Sequence, residues 1–273
     1  MKPLFRNWEV RIGSAFVALF LFVALFAPVL TPYQPNEIDM RPQVQLQAPT
    51  WQHPMGTDQF GRDILTRVFY GSRISVTIAL IVVFLATVWG TIYGGIAGFS
   101  GNRIDFVLMR IVDFMLSFPI IFLYIFVAAF FGNNLILLIL LLSGTSWMGI
   151  SRLVRAEVLS IKKAAFVEAA FLLNIPKWKI FFRHVLFNSL TPVLVAATMK
   201  VGIIVLVEST LSFIGLGVQP PTPSWGNMIA EGKDFLLDGW WMSFFPGMAI
   251  VFLVVSINLL GDGLQRIFNL HAR

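Results

Sequence analysis

Residues 152–188 have the sequence RLVRAEVLSIKKAAFVEAAFLLNIPKWKIFFRHVLFN, a long polar stretch set among hydrophobic runs. We call it the basic segment, because it carries Arg152, Arg155, Lys162, Lys163, Lys177, Lys179 and Arg183 against only two acids, Glu157 and Glu168. Asn174 tolerates the left-handed backbone that ends a helix, and Pro176 suits the first turn of a new one. The segment is therefore predicted to form a helix–turn–helix at a membrane surface, with the small residues Ala169 and Ala170 just before the bend.

The two predicted helices of the basic segment each show an apolar stripe with helical spacing. The first stripe comprises Val154, Val158, Ile161, Ala165, Ala169 and Leu172, and the second Trp178, Phe181, Phe182, Val185 and Leu186. Phe187 provides no helix stop, but we expect Asn188, Ser189 and Pro192 to start a new helix just after it.

The composition places the whole chain in a bilayer. Hydrophobic residues make up 57% of the 273 residues and charged residues only 12%, whereas soluble domains carry about 25% charge. Nucleic acid is a poor partner for this basic chain, because most basic residues fall in loops between hydrophobic runs. Cysteine is absent, so disulfides, thiolate metal sites and cysteine nucleophiles are excluded.

Six hydrophobic runs are long enough to span the hydrocarbon layer. The first is expected to be a retained helix, since no small-residue cleavage site follows it, and Pro119 should kink the third. The predicted spans are Ile12–Leu30, Ser75–Phe99, Phe106–Phe131, Leu135–Ile150, Leu190–Ile214 and Trp241–Leu260. We divide the chain into 1–74, an N-terminal span with its outer loop, and 75–273, a five-helix core domain that contains the basic segment.

An even number of spans puts both termini on one side of the membrane, and the positive-inside rule identifies that side as the cytoplasm. Five basic residues fall on the other side: Arg41, Arg62, Arg67, Arg73 and Lys233. The side of the termini has 14, namely Lys2, Arg6, Arg11, Arg103, Arg110, the seven of the basic segment, Arg266 and Arg273.

Glu168-Ala169-Ala170, a turn residue at Asn174 and a hydrophobic ending resemble the EAA loop of ABC importer permeases. In that family the loop docks on a cytoplasmic ATPase. This copy has Asn174 where the family has Gly, and Leu186-Phe187 where it has Leu-Pro; Asn accepts a left-handed turn at modest cost. The alternative is a basic interfacial loop that obeys topology rules alone.

Two outer segments resemble dipeptide, oligopeptide and nickel permeases of the second-subunit type. One contains Gly56, Thr57, Asp58, Gly61, Arg62 and Asp63, and the other Pro220, Pro221, Pro223, Trp225 and Gly226. Physically, Thr57 or Asp58 is expected to cap a short amphipathic helix, with Ile64, Leu65, Val68 and Phe69 as its apolar face, lying on the outer interface.

The resemblance implies an all-α fold with six transmembrane helices, that of a type I ABC importer permease. The implied partners are a homologous permease in a heterodimer, two cytoplasmic ATPase subunits, an extracytoplasmic substrate-binding protein and membrane lipid. ATP and Mg²⁺ would be bound by the ATPases, with no cofactor or metal on this chain. The implied cargo is a di- or oligopeptide, with nickel or a metal chelate as the alternative.

Three charged residues lie inside predicted spans, where insertion costs about 2.5–3.5 kcal/mol each at the bilayer centre. Asp113, Lys200 and Glu208 are therefore candidates for the substrate pathway or its gate. The alternatives are a structural ion pair between spans, or snorkelling of Lys200 towards an interface.

Other functional classes explain the sequence less well. An enzyme, including an intramembrane hydrolase, would need a catalytic motif, yet His53, His184 and His271 fall in separate segments and no phosphate-binding glycine loop occurs. A secondary transporter would usually show inverted repeats, and it would leave the loop around Glu168 without a role.

Overall fold

A computed structural model describes residues 7–271, with the side chains of 269–271 left out of the description; Lys2, Arg6 and Arg273 lie outside the described residues. This part of the chain is all-α. Its helices are α1 Trp8–Leu30, α2 Ile64–Phe99, α3 Asn102–Ser117, α4 Ile120–Phe131, α5 Leu135–Ile161, α6 Ala165–Leu172, α7 Lys177–Lys179, α8 Phe187–Phe213, α9 Trp225–Gly232 and α10 Trp241–His271. A π-helical segment, Ile180–Leu186, joins α7 to α8.

Helix α2 is longer than predicted, because it begins at Ile64 and runs without a break to Phe99. The separate amphipathic helix expected on the outer interface is therefore wrong. Asp63 caps α2, accepting a hydrogen bond from the Thr66 backbone N–H at 2.7 Å, so neither Thr57 nor Asp58 is the cap. Ile64 and Val68 are buried inside the protein rather than in lipid. The predicted domain boundary at 74/75 falls within α2, and that division stays a prediction.

Glycines bring α2 and α5 into close parallel contact. A methyl group on Gly94 would lie 2.2 Å from the Ser151 carbonyl oxygen, and one on Gly98 would lie 2.9 Å from that of Arg155. The residue numbers rise together along both helices, so the two helices point the same way. Only a residue without a side chain allows backbones to approach this closely.

The parallel arrangement of α2 and α5 requires the chain between them to cross the bundle. Helices α3 and α4 do so as one broken span, bent by 74° at Phe118-Pro119. Proline cannot donate the helical hydrogen bond and pushes the preceding residue into extended backbone, which Phe118 adopts. The predicted kink at Pro119 is confirmed. Counted as one span, this pair brings the candidate membrane spans among the described residues to six, together with the five long apolar helices.

The two described chain ends and the basic segment lie at the same end of the bundle, which we call the basic end. Glu9 of α1 pairs with Arg266 of α10 at 2.9 Å. Helix α10 runs antiparallel to α8, whose first turns continue from the basic segment. The loops 31–63 and 214–240 lie at the opposite end, which we call the loop end.

The basic segment differs from the predicted helix–turn–helix in two places. Helix α5 extends to Ile161, and a turn at 162–164 separates it from α6, so the first predicted helix is two helices. The turn changes the register: Val154 and Val158 are buried, whereas Ala165, Ala169 and Leu172 are exposed. The new helix start expected at Asn188–Pro192 is also wrong, because the helix continues through the π-helical segment into α8, which begins at Phe187.

The π-helical segment aligns two apolar faces that an unbroken α-helix would separate. Ile180, Val185 and Ser189 are fully buried and follow one another at intervals of five and four residues. A π-helix pairs residues five apart, so one such stretch shifts the register of the buried face by one residue. The second predicted stripe is thus partly wrong, since Trp178 and Phe182 are exposed and Ile180 is buried instead.

Candidate functional site

Helix α6 ends in a left-handed turn, as predicted from Asn174. The φ angle of Asn174 is 53°. Its N–H donates to the Phe171 carbonyl at 3.1 Å, and the Ile175 N–H donates to the Ala170 carbonyl at 3.2 Å. These two bonds form the Schellman motif and satisfy carbonyls at the helix end. The turn fixes the direction in which the last residues of α6 project.

The surface formed by Glu168, Ala169, Leu172 and Leu173, which we call the tip, is exposed. Leu172 is 84% and Leu173 75% exposed, whereas Ala170 is buried. The Glu168 carboxylate has no hydrogen bond or ion pair with any residue in 7–271. Exposed apolar side chains around a single free carboxylate are typical of a surface that binds another protein. Sequence analysis missed both leucines, because it assigned Leu172 to an apolar stripe and did not single out Leu173.

Phe99, the last residue of α2, holds the basic segment against the spans. Its ring packs against Phe181 of the π-helical segment, with centroids 5.0 Å apart, and stacks on Phe171 of α6 at 6.5 Å. The Lys162 ammonium donates to the Phe99 carbonyl at 2.9 Å. Gly95 leaves room for Phe181, since a methyl group there would lie 3.1 Å from its ring. These contacts therefore fix the tip to the end of α2.

Two ion pairs join α3 to α5 at the basic end. Arg152 donates to Asp113 at 2.5 Å, and Arg155 forms two hydrogen bonds with Asp105, at 2.8 and 2.5 Å. The structure thus gives Asp113 the structural ion pair that was the alternative to a pathway role. Its side chain is still 44% exposed, and its assignment to the pathway stays a prediction.

Lys200 lies about halfway along α8 and is half-buried. It makes no ion pair with any residue of the described part of the chain. Its role in the pathway stays a prediction.

Glu208 lies inside the protein near the loop end and is 0% exposed. Its carboxylate accepts hydrogen bonds from the hydroxyls of Ser75 on α2 at 2.9 Å, Ser212 at 2.7 Å and Ser209 at 3.4 Å. No basic side chain within residues 7–271 pairs with it. Glu208 therefore faces the interior between α2 and α8, not the surface of the chain. Sequence analysis did not identify Ser75 as its partner.

The first outer signature contains a buried network of four charges. Arg62 donates to Asp58 at 2.5 Å and to Glu231 of α9 at 2.7 Å, and Arg67 donates to Glu231 at 2.9 Å. Both arginine side chains are nearly inaccessible. This network fastens the loop 31–63, α2 and α9 together. Sequence analysis placed Arg62 and Arg67 on the outer side without finding Glu231.

Turns and contacts explain the other residues of the first signature. Gly56 and Gly61 have φ angles of 75° and 71°, which favour glycine. The Thr57 hydroxyl accepts a hydrogen bond from the Gln47 backbone N–H at 2.9 Å. Asp63 caps α2 and contacts the His53 ring at 2.9 Å. These residues build the scaffold of the loop end.

The second outer signature packs α9 between α2 and α8. The Trp225 ring is fully buried and its indole N–H donates to the Val68 carbonyl at 3.0 Å. A methyl group on Gly226 would lie 2.3 Å from the Ser209 carbonyl oxygen. The Pro220-Pro221 bond is cis, and with Pro223 it leads the chain into α9. Trp225 is thus a core residue that holds α9 against α2.

Two family models match the chain. Residues 90–273 match the binding-protein-dependent transport system inner membrane component, and residues 1–49 match the N-terminal transmembrane domain of oligopeptide transport permease C. The first match alone covers more than half of the chain and includes the basic segment and the second outer signature.

Relatives are similar over nearly the whole chain. The dipeptide transport system permease protein DppC of Alkalihalophilus pseudofirmus is 38% identical over 264 residues, which cover 97% of this chain and 86% of that protein. The oligopeptide transport system permease protein OppC of Haemophilus influenzae is 36% identical over 267 residues, 97% of this chain and 85% of that protein.

The fold is shared with a solved transporter. A chain from the inward-facing MetNI methionine ABC transporter superposes with a TM-score of 0.61 at 20% identity, covering 75% of this chain and 97% of its own. At this identity the likeness concerns the fold alone.

Proposed function

The chain belongs to the family of binding-protein-dependent transport system inner membrane components, and we propose that it is one of two permease subunits in an ATP-driven importer of di- or oligopeptides. The observation that carries this proposal is the tip: an exposed carboxylate and two exposed leucines, fixed by the Asn174 turn to the end of α2. The peptide cargo is supported by the dipeptide and oligopeptide permeases that resemble the chain over nearly its full length.

The proposed complex contains a homologous permease, two ATPases and an extracytoplasmic binding protein. ATP and Mg²⁺ are bound by the ATPases, and this chain supplies no cofactor site. The basic end faces the cytoplasm, because basic residues concentrate there and loops rich in Lys and Arg stay on the cytoplasmic side during insertion. The tip then lies on the side where the ATPases are, and the scaffold of 31–63 and α9 faces the binding protein.

The contacts around the tip suggest how ATPase movement reaches the membrane. A push or pull on the tip is passed to α2 through Phe99 and Gly95. Helix α2 transmits the displacement to α5 at Gly94 and Gly98, where the two backbones are already in contact. Closely packed interiors transmit displacement instead of absorbing it. We propose that α2 and α5 move together with the tip as the pore changes its access.

The test is the charge reversal Glu168→Lys in the reconstituted complex. It should leave insertion and assembly intact but remove substrate-stimulated ATP hydrolysis, because a cation replaces the free carboxylate at the contact surface. Asp262→Lys, an exposed acid at the basic end of α10, is the matched control and should retain stimulation. Full stimulation in Glu168→Lys would contradict the proposed coupling.

Nickel or a metal chelate remains the alternative cargo. Among the described residues, no group of three or more His, Asp or Glu side chains is placed to hold a metal ion. Uptake assays with labelled dipeptide and with nickel distinguish the two cargoes.

A further inference from the structure

The π-helical segment exposes an aromatic and basic face that continues into the membrane-facing side of α8. Trp178, Phe182 and Phe187 are 63%, 59% and 73% exposed. They lie opposite the buried Ile180 and Val185. The register shift that aligns the buried face therefore also places these three rings together on the exposed face. Large exposed aromatics on a helix that enters a bilayer are typical of the interface.

Three cations flank these rings. Lys177, Lys179 and Arg183 are exposed, and no ion pair joins them to any residue within 7–271. The chain contains no acid from 169 to 207, so nothing nearby in sequence neutralises them. The Lys179 ammonium lies 5.5 Å from the Trp178 ring centroid. The charge of this face is therefore complementary to an anionic surface.

The length of the helix places this face at the membrane surface. Lys177–Phe213 forms a helix of 37 residues, about 55 Å at 1.5 Å per residue. The hydrocarbon core is about 30 Å thick, and about 40–45 Å with both headgroup layers. We place Phe213 in the far headgroup layer. Phe187 is then about 39 Å away, within the near headgroup layer. Phe182, about 46 Å away, lies at the aqueous edge of that layer, and Trp178, about 52 Å away, lies just outside it.

We propose that Trp178, Phe182, Phe187 and the cations Lys177, Lys179 and Arg183 form a binding face for anionic phospholipid headgroups. Phe187 inserts among the headgroups, Phe182 lies at their edge, Trp178 covers them from the aqueous side, and the cations pair with lipid phosphates. This inference rests on the proposed orientation, with the basic end at the cytoplasmic leaflet. A soluble ATPase cannot reach Phe187 at that depth, and the cations beside the rings are complementary to lipid phosphates, so lipid is the proposed occupant. A neighbouring permease subunit over this face is an outcome that the test distinguishes. The face anchors the helical segment that follows the tip in the sequence, and it fixes the depth of the basic segment relative to the membrane.

Single cysteines carrying nitroxide labels test the depth, since the chain has no cysteine of its own. The complete transporter, in nanodiscs of phosphatidylcholine with phosphatidylglycerol, is labelled at Phe187→Cys, Phe182→Cys and, as the control, Asn102→Cys, an exposed position at the basic end and outside the tip. Collision with oxygen should dominate at 187, collision with a water-soluble nickel chelate at 102, and position 182 should fall between them. Full chelate access at 187, or protection from both reagents by a protein neighbour, would overturn the proposal.

A charge variant tests the lipid class. The triple variant Lys177→Gln, Lys179→Gln, Arg183→Gln is compared with Arg41→Gln, Arg73→Gln, Lys233→Gln, which removes the same charge at the loop end. Each basic residue near an anionic surface contributes about a fivefold preference, so the first variant should reduce co-purified phosphatidylglycerol relative to phosphatidylcholine at least about fivefold. Equal enrichment in both variants would refute anionic lipid as the partner. Glu168→Lys should keep the lipid preference, which separates failure of this face from failure of coupling.

Discussion

Replacing Glu208 separates a hydrogen-bonded interior role from a buried ion pair. The carboxylate is fully buried and accepts from Ser75 and Ser212, and no cation of residues 7–271 pairs with it. Glu208→Gln should therefore leave the assembled complex stable, because the amide oxygen can still accept from Ser212 and the amide nitrogen can donate to Ser75. Glu208→Leu should destabilise it.

The size of the effect follows from the hydroxyls left behind. In Glu208→Leu, both serines lose their buried acceptor, and an unsatisfied buried polar group costs about 1–3 kcal/mol. Ser212 is further constrained, because its oxygen accepts from the Val218 backbone N–H at 3.0 Å. The expected loss is roughly 2–6 kcal/mol for Leu and within about 1 kcal/mol for Gln.

The assay is the temperature at which the purified complex in nanodiscs loses its monodisperse form, with uptake measured in parallel. Gln should stay close to the wild type in both readouts, and Leu should show a clearly lower midpoint. Equal destabilisation by Gln and Leu would refute the reasoning, because it would require a cation from another subunit. Such a buried pair costs about 3–5 kcal/mol when one partner is removed.

Three further predictions concern packing, the outer network and orientation. Gly94→Leu should abolish assembly, because even a methyl group there would lie 2.2 Å from a backbone oxygen, whereas Gly144→Leu, with open space around it, should assemble normally in a yield assay. Glu231→Gln removes one partner of a buried charge network, which costs about 3–5 kcal/mol of stability. The thermal midpoint of the complex should therefore fall, and an unchanged midpoint would argue against the network. In intact cells, an impermeant thiol reagent should label Gln43→Cys but label Lys163→Cys only after lysis, and the reverse pattern would refute the orientation.

Local chemistry made two breaks in the helices predictable, at Asn174 and at Pro119. Asn174 is one of the few residues that enter a left-handed turn readily, and the turn appears there with φ of 53°. Pro119 breaks its helix because it lacks an N–H donor, although the 74° bend also depends on how α3 and α4 pack. Such features depend on one residue and its neighbours, so a sequence carries them.

Long-range contacts made other parts unpredictable. Arg67 was expected on a short helix at the outer interface, yet it is buried inside α2, where it pairs with Glu231, a residue distant in sequence. The π-helical segment could not be predicted, since it depends on matching Ile180 and Val185 to the buried face of α8. Phe99 ends a hydrophobic run, and only the fold shows that it holds Phe171 and Phe181.

We propose that this chain carries peptides through the membrane with energy from ATPases docked at its tip. Uptake of a labelled dipeptide is the most direct test, measured in proteoliposomes that contain the chain, its partner permease, the two ATPases and the binding protein. We expect ATP-dependent uptake that Glu168→Lys abolishes and Asp262→Lys preserves. Uptake that proceeds without ATP hydrolysis, or that is unchanged in Glu168→Lys, would contradict this proposal.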